Sequence, residues 1–185
     1  MTWEIDPSHS EAQFAVKHMM FSTVRGHFNV LSGHLHIDEQ HPENSWVDAQ
    51  VDASSVDTRS DYRDNHLRSP EFFDAEKYPT INFKSNKVER VKDNEYNVLG
   101  DLTMHGITKP VQFKAEYAGQ AKNPFGKTIA GLSAKTKINR KDFGLNWNQA
   151  LESGGVLVSD DVTIEIDLEA VAQPVEQEAV AQVQA

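Results

Sequence analysis

The sequence predicts an all-β protein, an eight-stranded antiparallel β-barrel with short helices closing or flanking its mouth. Three observations carry that expectation. Apolar and polar residues alternate from end to end, as strands with one buried face require. The runs are joined mostly by short turns, the habit of an antiparallel meander. One long break, residues 63–79, interrupts them with charge set beside large aromatics. At 185 residues the chain is long enough for one domain with a full core, and a barrel of this size needs no second.

The elements follow in order. Ala12, Phe14 and Val16 share one face of the first clear strand. Phe28 and Val30 then give way to Leu31, Gly33, Leu35 and Ile37 on the other parity, so a bulge near Val30 is expected. Val47, Ala49, Val51 and Ala53 form the next face. After the break come Ile81, Phe83 and Val88, then Tyr96, Val98, Gly100, Leu102 and Met104 beyond a turn at Lys92-Asp93-Asn94. The turn His105-Gly106 leads to Val111, Phe113, Ala115 and Tyr117. A further turn at residues 123–126 leads to Ala130, Leu132, Ala134, Thr136 and Ile138, and the last strand carries Val162, Ile164, Ile166 and Leu168. Residues 17–24 do not alternate and suit a short helix or turn. Residues 58–67 read as a helix capped by Thr58 with Asp61, and Ser69-Pro70 repeats that logic. Residues 172–185 hold only Ala, Gln, Pro, Val and Glu and read as a disordered tail, which leaves the barrel domain as 1–171.

Composition narrows the function. A net charge of −10 repels phosphate backbones and anionic surfaces, so no nucleic-acid partner is expected. No run has the length of a membrane-spanning helix. With no Cys, disulfide and thiol chemistry are excluded. The first residues, Met1-Thr2-Trp3-Glu4-Ile5-Asp6, lack a basic segment followed by an apolar one. As written, the chain is expected to be cytoplasmic, and periplasmic if an export signal has been removed.

Catalytic and metal signals are sparse. The eight His are dispersed; His34 and His36 share a strand face opposite the apolar one, and no HExxH pattern or Cys partner accompanies them, so no metal site is expected. His66 between Asp64 and Arg68 has the makings of a general base, yet such neighbours are more often a structural hydrogen-bonded pair. No nucleophile stands in a recognisable setting, and no catalytic residue or cofactor is nominated. Arg25, Arg63, Arg68 and Arg140 sit beside glycines, turns or the expected helix. Pairing with Asp57, Asp64, Asp74 or Asp142, they would pin helical segments to the barrel; the alternative is capture of a polar head group.

The lumen is the remaining candidate. Eight strands either fill with side chains or leave room for one small ligand. Ala12, Gly33, Ala49, Ala53, Gly100, Ala115, Ala130 and Ala134 recur on the apolar faces, mixed with Phe14, Phe28, Phe83, Phe113 and Met104. Spacing alone leaves two readings open, an apolar channel or a solid core in which small residues offset the aromatics.

Several motifs in order resemble the YceI-like family, the bacterial polyisoprenoid-binding proteins of lipocalin-like shape. They are Trp3-Glu4-Ile5-Asp6-Pro7-Ser8-His9-Ser10, Phe14-Ala15-Val16-Lys17-His18-Met19, Val24-Arg25-Gly26-His27-Phe28 and the run from Arg63 through Asp74 with Tyr78-Pro79. Gly100-Asp101-Leu102-Thr103-Met104-His105-Gly106-Ile107-Thr108-Lys109-Pro110-Val111 and Asn139-Arg140-Lys141-Asp142-Phe143-Gly144 complete the set. The resemblance implies an apolar tunnel for a long-chain isoprenoid or similar amphiphile, commonly in a homodimer, without established catalysis. On this basis Phe14, Val16, Phe28, Leu35, Val51, Phe83, Leu102 and Met104 are expected to line the tunnel. Met20, Phe21, Leu67, Phe72 and Phe73 would gate it, with Arg63 or His66 near its polar end. An enzyme using Asp64 and His66 on such a lipid, and a structural or stress protein with a filled core, are the alternatives.

Overall fold

A computed structural model describes residues 1–174 as a closed antiparallel β-barrel. Its strands are β1 (Thr2–Ile5), β2 (Glu11–His18), β3 (Ser22–Phe28), β4 (Leu31–His36), β5 (Trp46–Asp52) and β6 (Val56–Asp57), followed by helix α1 (Asp61–Arg68). Then come β7 (Thr80–Lys92), β8 (Glu95–Met104), β9 (Ile107–Lys122), β10 (Thr128–Asn139) and β11 (Val158–Ala172).

Eleven strands make eight staves because the first three staves are each broken once. β1 and β2 both pair antiparallel with β11, β4 and β3 pair with β1 and β2, and β5 and β6 pair with β4 and β3. From β5 the ladder passes through β7, β8, β9 and β10 back to β11. The breaks lie side by side. At Asn29-Val30, where the parity of apolar residues switches, the Asn29 N–H donates to Ser55 O and the Val30 N–H to Ser55 Oγ, across the 3-10 turn Ala53–Ser55 that splits the third stave. Breaks of this kind let flat strands turn the corner of a narrow barrel.

The first break, residues 6–10, is a polar lock. Asp6 Oδ1 accepts from the Ser8 hydroxyl at 2.6 Å and the Ser8 amide at 2.9 Å, and Asp6 Oδ2 lies 2.9 Å from His9 Nδ1. Ser10 Oγ donates to Glu169 O on β11 at 3.1 Å. The Ser8 hydroxyl, then His9, hold the Asp6 carboxyl down at about 2, and the bond to Asp6 raises the His9 imidazole.

Two connections at one end of the barrel are long. Residues 58–79 join β6 to β7, and residues 140–157 join β10 to β11. Both lie where ladders part: β6 pairs with β3, and the β9–β10 register ends at Lys114↔Lys135. Ser60, rather than Thr58, caps α1, its side chain accepting from the Arg63 N–H, and Asp61 and Asp64 in the first turn suit the helix dipole. Thr58 is displaced from that role because its amide and hydroxyl both donate to Asp64. Ser69 closes α1 instead of opening a second helix. The chain doubles back there, with the Phe73 N–H on Leu67 O and the Ala75 N–H on Arg68 O. Residues 17–24 form a hairpin, its turn Met19-Met20-Phe21 closed by the Phe21 N–H on His18 O. Ala172 pairs with Trp3 and the Gln173 N–H reaches Thr2 O, so the barrel extends past the expected boundary; residues 175–185 of the expected tail lie outside the described residues.

The Asp6 lock has a pH signature. Its carboxyl titrates lower in the folded chain, so its contribution is full above the ordinary value of 3.8 and fades as pH falls through about 2. His9 titrates higher when folded, so its share is full below the ordinary 6.5 and fades as pH rises through the raised value. Melting temperatures of the wild type and Asp6→Asn are therefore expected to differ most between about pH 4 and 6.5 and to converge toward pH 2. An offset that stays constant from pH 6.5 down to pH 2 would show that the Asp6 charge adds nothing.

Candidate binding cavity

The barrel is not filled. A cavity of about 560 Å³ runs along its axis, within the roughly 300–1,000 Å³ span of ligand pockets. Phe14 and Val16 of β2, Phe28 of β3, Leu35 of β4, Val51 of β5, Phe83 of β7, and Leu102 and Met104 of β8 all border it. Across the lumen, Phe113, Ala115 and Tyr117 of β9, Leu132 and Ala134 of β10, and Ile164, Ile166 and Leu168 of β11 complete the wall. Period-two alternation places these on one face of each strand.

Small residues make this space in different ways. Ala12, Ala49, Ala115 and Ala134 face the cavity directly. Gly26 and Gly100 act indirectly: a Cβ at Gly26 would fall 2.5 Å from Phe14 Cζ, and one at Gly100 would fall 2.7 Å from Phe83 Cζ. Each glycine thus lets a phenyl ring lie back against the wall. Ala130 does not border the cavity; with Ala170 it belongs to the buried cluster around Trp3. The rings pack on one another, Phe14 tilted against Phe28 at 5.7 Å, with edge contacts from Phe28 to Phe73 at 5.7 Å and from Phe83 to Phe113 at 4.9 Å.

The mouth is built from the two long connections. Arg63, His66, Leu67, Phe72 and Phe73 border the cavity from one, Leu145 and Trp147 from the other. His66 stands where they meet. Its ring meets Phe72 at 5.0 Å and Trp147 at 4.8 Å, both edge-on, and its Nε2 lies 2.6 Å from Glu71 Oε2. Trp147 was not legible as a mouth residue; its one signal is a large aromatic stranded in the Asn-rich stretch Asn146-Trp147-Asn148.

Met20 and Phe21 do not gate the cavity. Met19 and Met20 both adopt left-handed backbone, φ 51° and 63°, and the turn throws the following side chains outward. Met20 is 67% and Phe21 88% exposed. Met20 lies beside Gly155 at the rim.

Arginines do pin the mouth, mainly through backbone carbonyls and not through the expected Asp57, Asp64, Asp74 or Asp142. Arg63 donates from Nε to Thr58 Oγ1 and from Nη2 to Thr58 O, both at 2.7 Å. Arg68 donates to Ser54 O at 2.7 Å and Val56 O at 3.1 Å. Arg140, 3% exposed, donates to Ser159 O, Leu145 O, Trp147 O and Val158 O, with Asp160 at 3.9 Å. Burial pulls the Arg140 guanidinium below its ordinary value, and Asp160 opposes that. Arg25 projects from β3 into solvent. Asp64, buried, is taken up by Thr58, while His66 pairs with Glu71, so the two are bound to different partners.

Among the described residues one group of metal-ligand type converges, Asp6, His9 and Glu169, with donor atoms within 4.8 Å of one another. It is the lock between β1 and β2, on the outside of the wall. His34 is exposed, and His36 stacks on Trp46 at 6.4 Å.

The architecture is thus an eight-stranded barrel with an apolar lumen and a mouth capped by a helix and a loop. The chain belongs to the YceI-like domain family, whose model matches residues 3–170. A UPF0312 protein of Staphylococcus aureus (strain bovine RF122 / ET3-1) is 38% identical over 165 residues, 89% of this chain and 94% of that protein. The crystal structure of the Campylobacter jejuni YCEI protein superposes with a TM-score of 0.74 at 33% identity, covering 85% of this chain and 90% of that one. A polyisoprenoid-binding domain from Saccharophagus degradans, implicated in plant cell wall breakdown, shares the fold with a TM-score of 0.67 at 17% identity, covering 92% and 98%.

Thr58 joins both sides of the α1 clamp, so Thr58→Val is expected to leave the buried Asp64 carboxylate and the Arg63 Nε short of a partner. The cost is about 1–3 kcal/mol, read as a lower urea midpoint at unchanged slope. A midpoint equal to the wild type's would show that the clamp is redundant.

Proposed function

We infer that the protein binds the long apolar chain of an isoprenoid-type amphiphile in its lumen and holds it as a carrier or store, without chemical conversion. The observation that carries this is the continuous cavity walled by hydrocarbon from β2 round to β11. Burial contributes about 0.8 kcal/mol per methylene, so ten methylenes supply roughly 8 kcal/mol before the cost of ordering the chain. The polyisoprenoid-binding relative of the same fold supports an isoprenoid in particular. Arg63 and His66 stand at the mouth, where a head group would rest. Because Asp64 and His66 are engaged with separate partners, neither is poised as the acid and base of one reaction. The homodimer implied by the resemblance belongs to this reading too, and light scattering of the purified chain reads it.

Mass spectrometry of an organic extract of the purified protein is the test. The expected result is a co-purifying amphiphile with a long hydrocarbon chain, or stoichiometric uptake of an added polyprenol by protein stripped of lipid. An empty extract together with no uptake would overturn the reading.

A further inference from the structure

Resting on that reading and deepening it, we propose that Tyr117 sets the longest apolar chain the tunnel admits and that Glu39 holds it in place. The cavity reaches beyond the hydrocarbon wall to the end opposite the mouth, where its lining changes character. Asp38, Glu39, Glu116 and the Tyr96 and Tyr117 rings border it there. Tyr117 follows Phe113 and Ala115 on one face of β9, so it is the ring that β9 presents to a chain that has passed the small Ala115.

The ring is anchored. Tyr117 Oη donates to Glu39 Oε1 at 2.8 Å, and Gln120 Nε2 reaches the same oxygen at 3.3 Å. Arg90 Nη2 donates to Glu39 O at 2.7 Å and lies 3.3 Å from Tyr96 Oη. Residues 37–45 thereby become a strap drawn across the barrel's far end, tied to β7 and β9. Burial, then the bond to Glu39, push the Tyr117 phenol well above its usual range, so it remains a donor.

An advancing chain end meets two obstacles here. The ring borders the lumen at its far end, and beside it stand carboxylates that hydrocarbon can neither solvate nor hydrogen-bond. Each methylene that finds apolar room raises affinity about fourfold. A methylene pressed past Tyr117 gains nothing, so affinity against chain length should climb and then level.

The test is competition of linear polyprenols of increasing isoprene number against a fluorescent apolar probe, anilinonaphthalene sulfonate, on the full chain. The length at which affinity levels is the readout, independent of its absolute value. Tyr117→Ala is expected to move that length upward, Glu39→Ala to move it upward by less, and Tyr117→Trp to move it downward. Leu67→Ala at the mouth should weaken all lengths and leave the levelling point in place. A levelling point that stays put in both Tyr117 variants overturns the assignment of Tyr117. Failure of the wild type to bind any length overturns the lipid-binding reading itself.

Discussion

Pairing along β11 is the interaction on which the rest of the molecule depends. That strand carries β10 on one flank over almost its whole length and β2 followed by β1 on the other, so as the last stave it closes the barrel onto the first. Once the ring of backbone hydrogen bonds is complete, the wall stands without side chains filling its interior, because peptide groups are satisfied within it. A helical bundle of equal size would collapse onto an empty centre. Here the centre is free to hold something else.

What closure cannot do is seal the ends, and the two ends are treated differently. At the mouth, two long connections are gripped by Arg63, Arg68 and Arg140 through backbone carbonyls. A guanidinium fork on carbonyls fixes the path of the main chain, where a pairing with another side chain would leave both partners free to swing. Hydrophobic contact among His66, Phe72 and Trp147 then joins the two connections over the opening. At the far end a short strap is tied by a tyrosine and a carboxylate. One end is held by scaffold and closed by soft apolar contact, the other closed by hydrogen bonds.

Much of this was legible in the residues. Alternation in runs such as Val47, Ala49 and Val51 revealed the staves, and the parity switch at Val30 and Leu31 marked the break between β3 and β4. Where legibility failed, the cause is physical. Met19, Met20 and Phe21 are large and apolar, and burial is the default expectation for such residues, but two left-handed residues in succession turn them into solvent. The arginine partners were hidden because a carbonyl acceptor has no letter in a sequence; aspartates, which do, drew attention instead. Small residues were ambiguous for a similar reason: Ala134 borders a void and Ala130 backs Trp3, and no local signal distinguishes them.

The seam between β1 and β11 also governs how the chain must come together. Ser10 and Glu169, joined across it, lie 159 positions apart in sequence. Local hairpins between neighbouring staves bring together residues close in sequence, but the ring gains its last edge only when the two extremes of the barrel meet, a contact of high sequence separation. During synthesis the barrel stays an open sheet with bare edges until its final strand emerges from the ribosome. The lumen therefore comes into being in one late step, all at once, rather than being built up wall by wall.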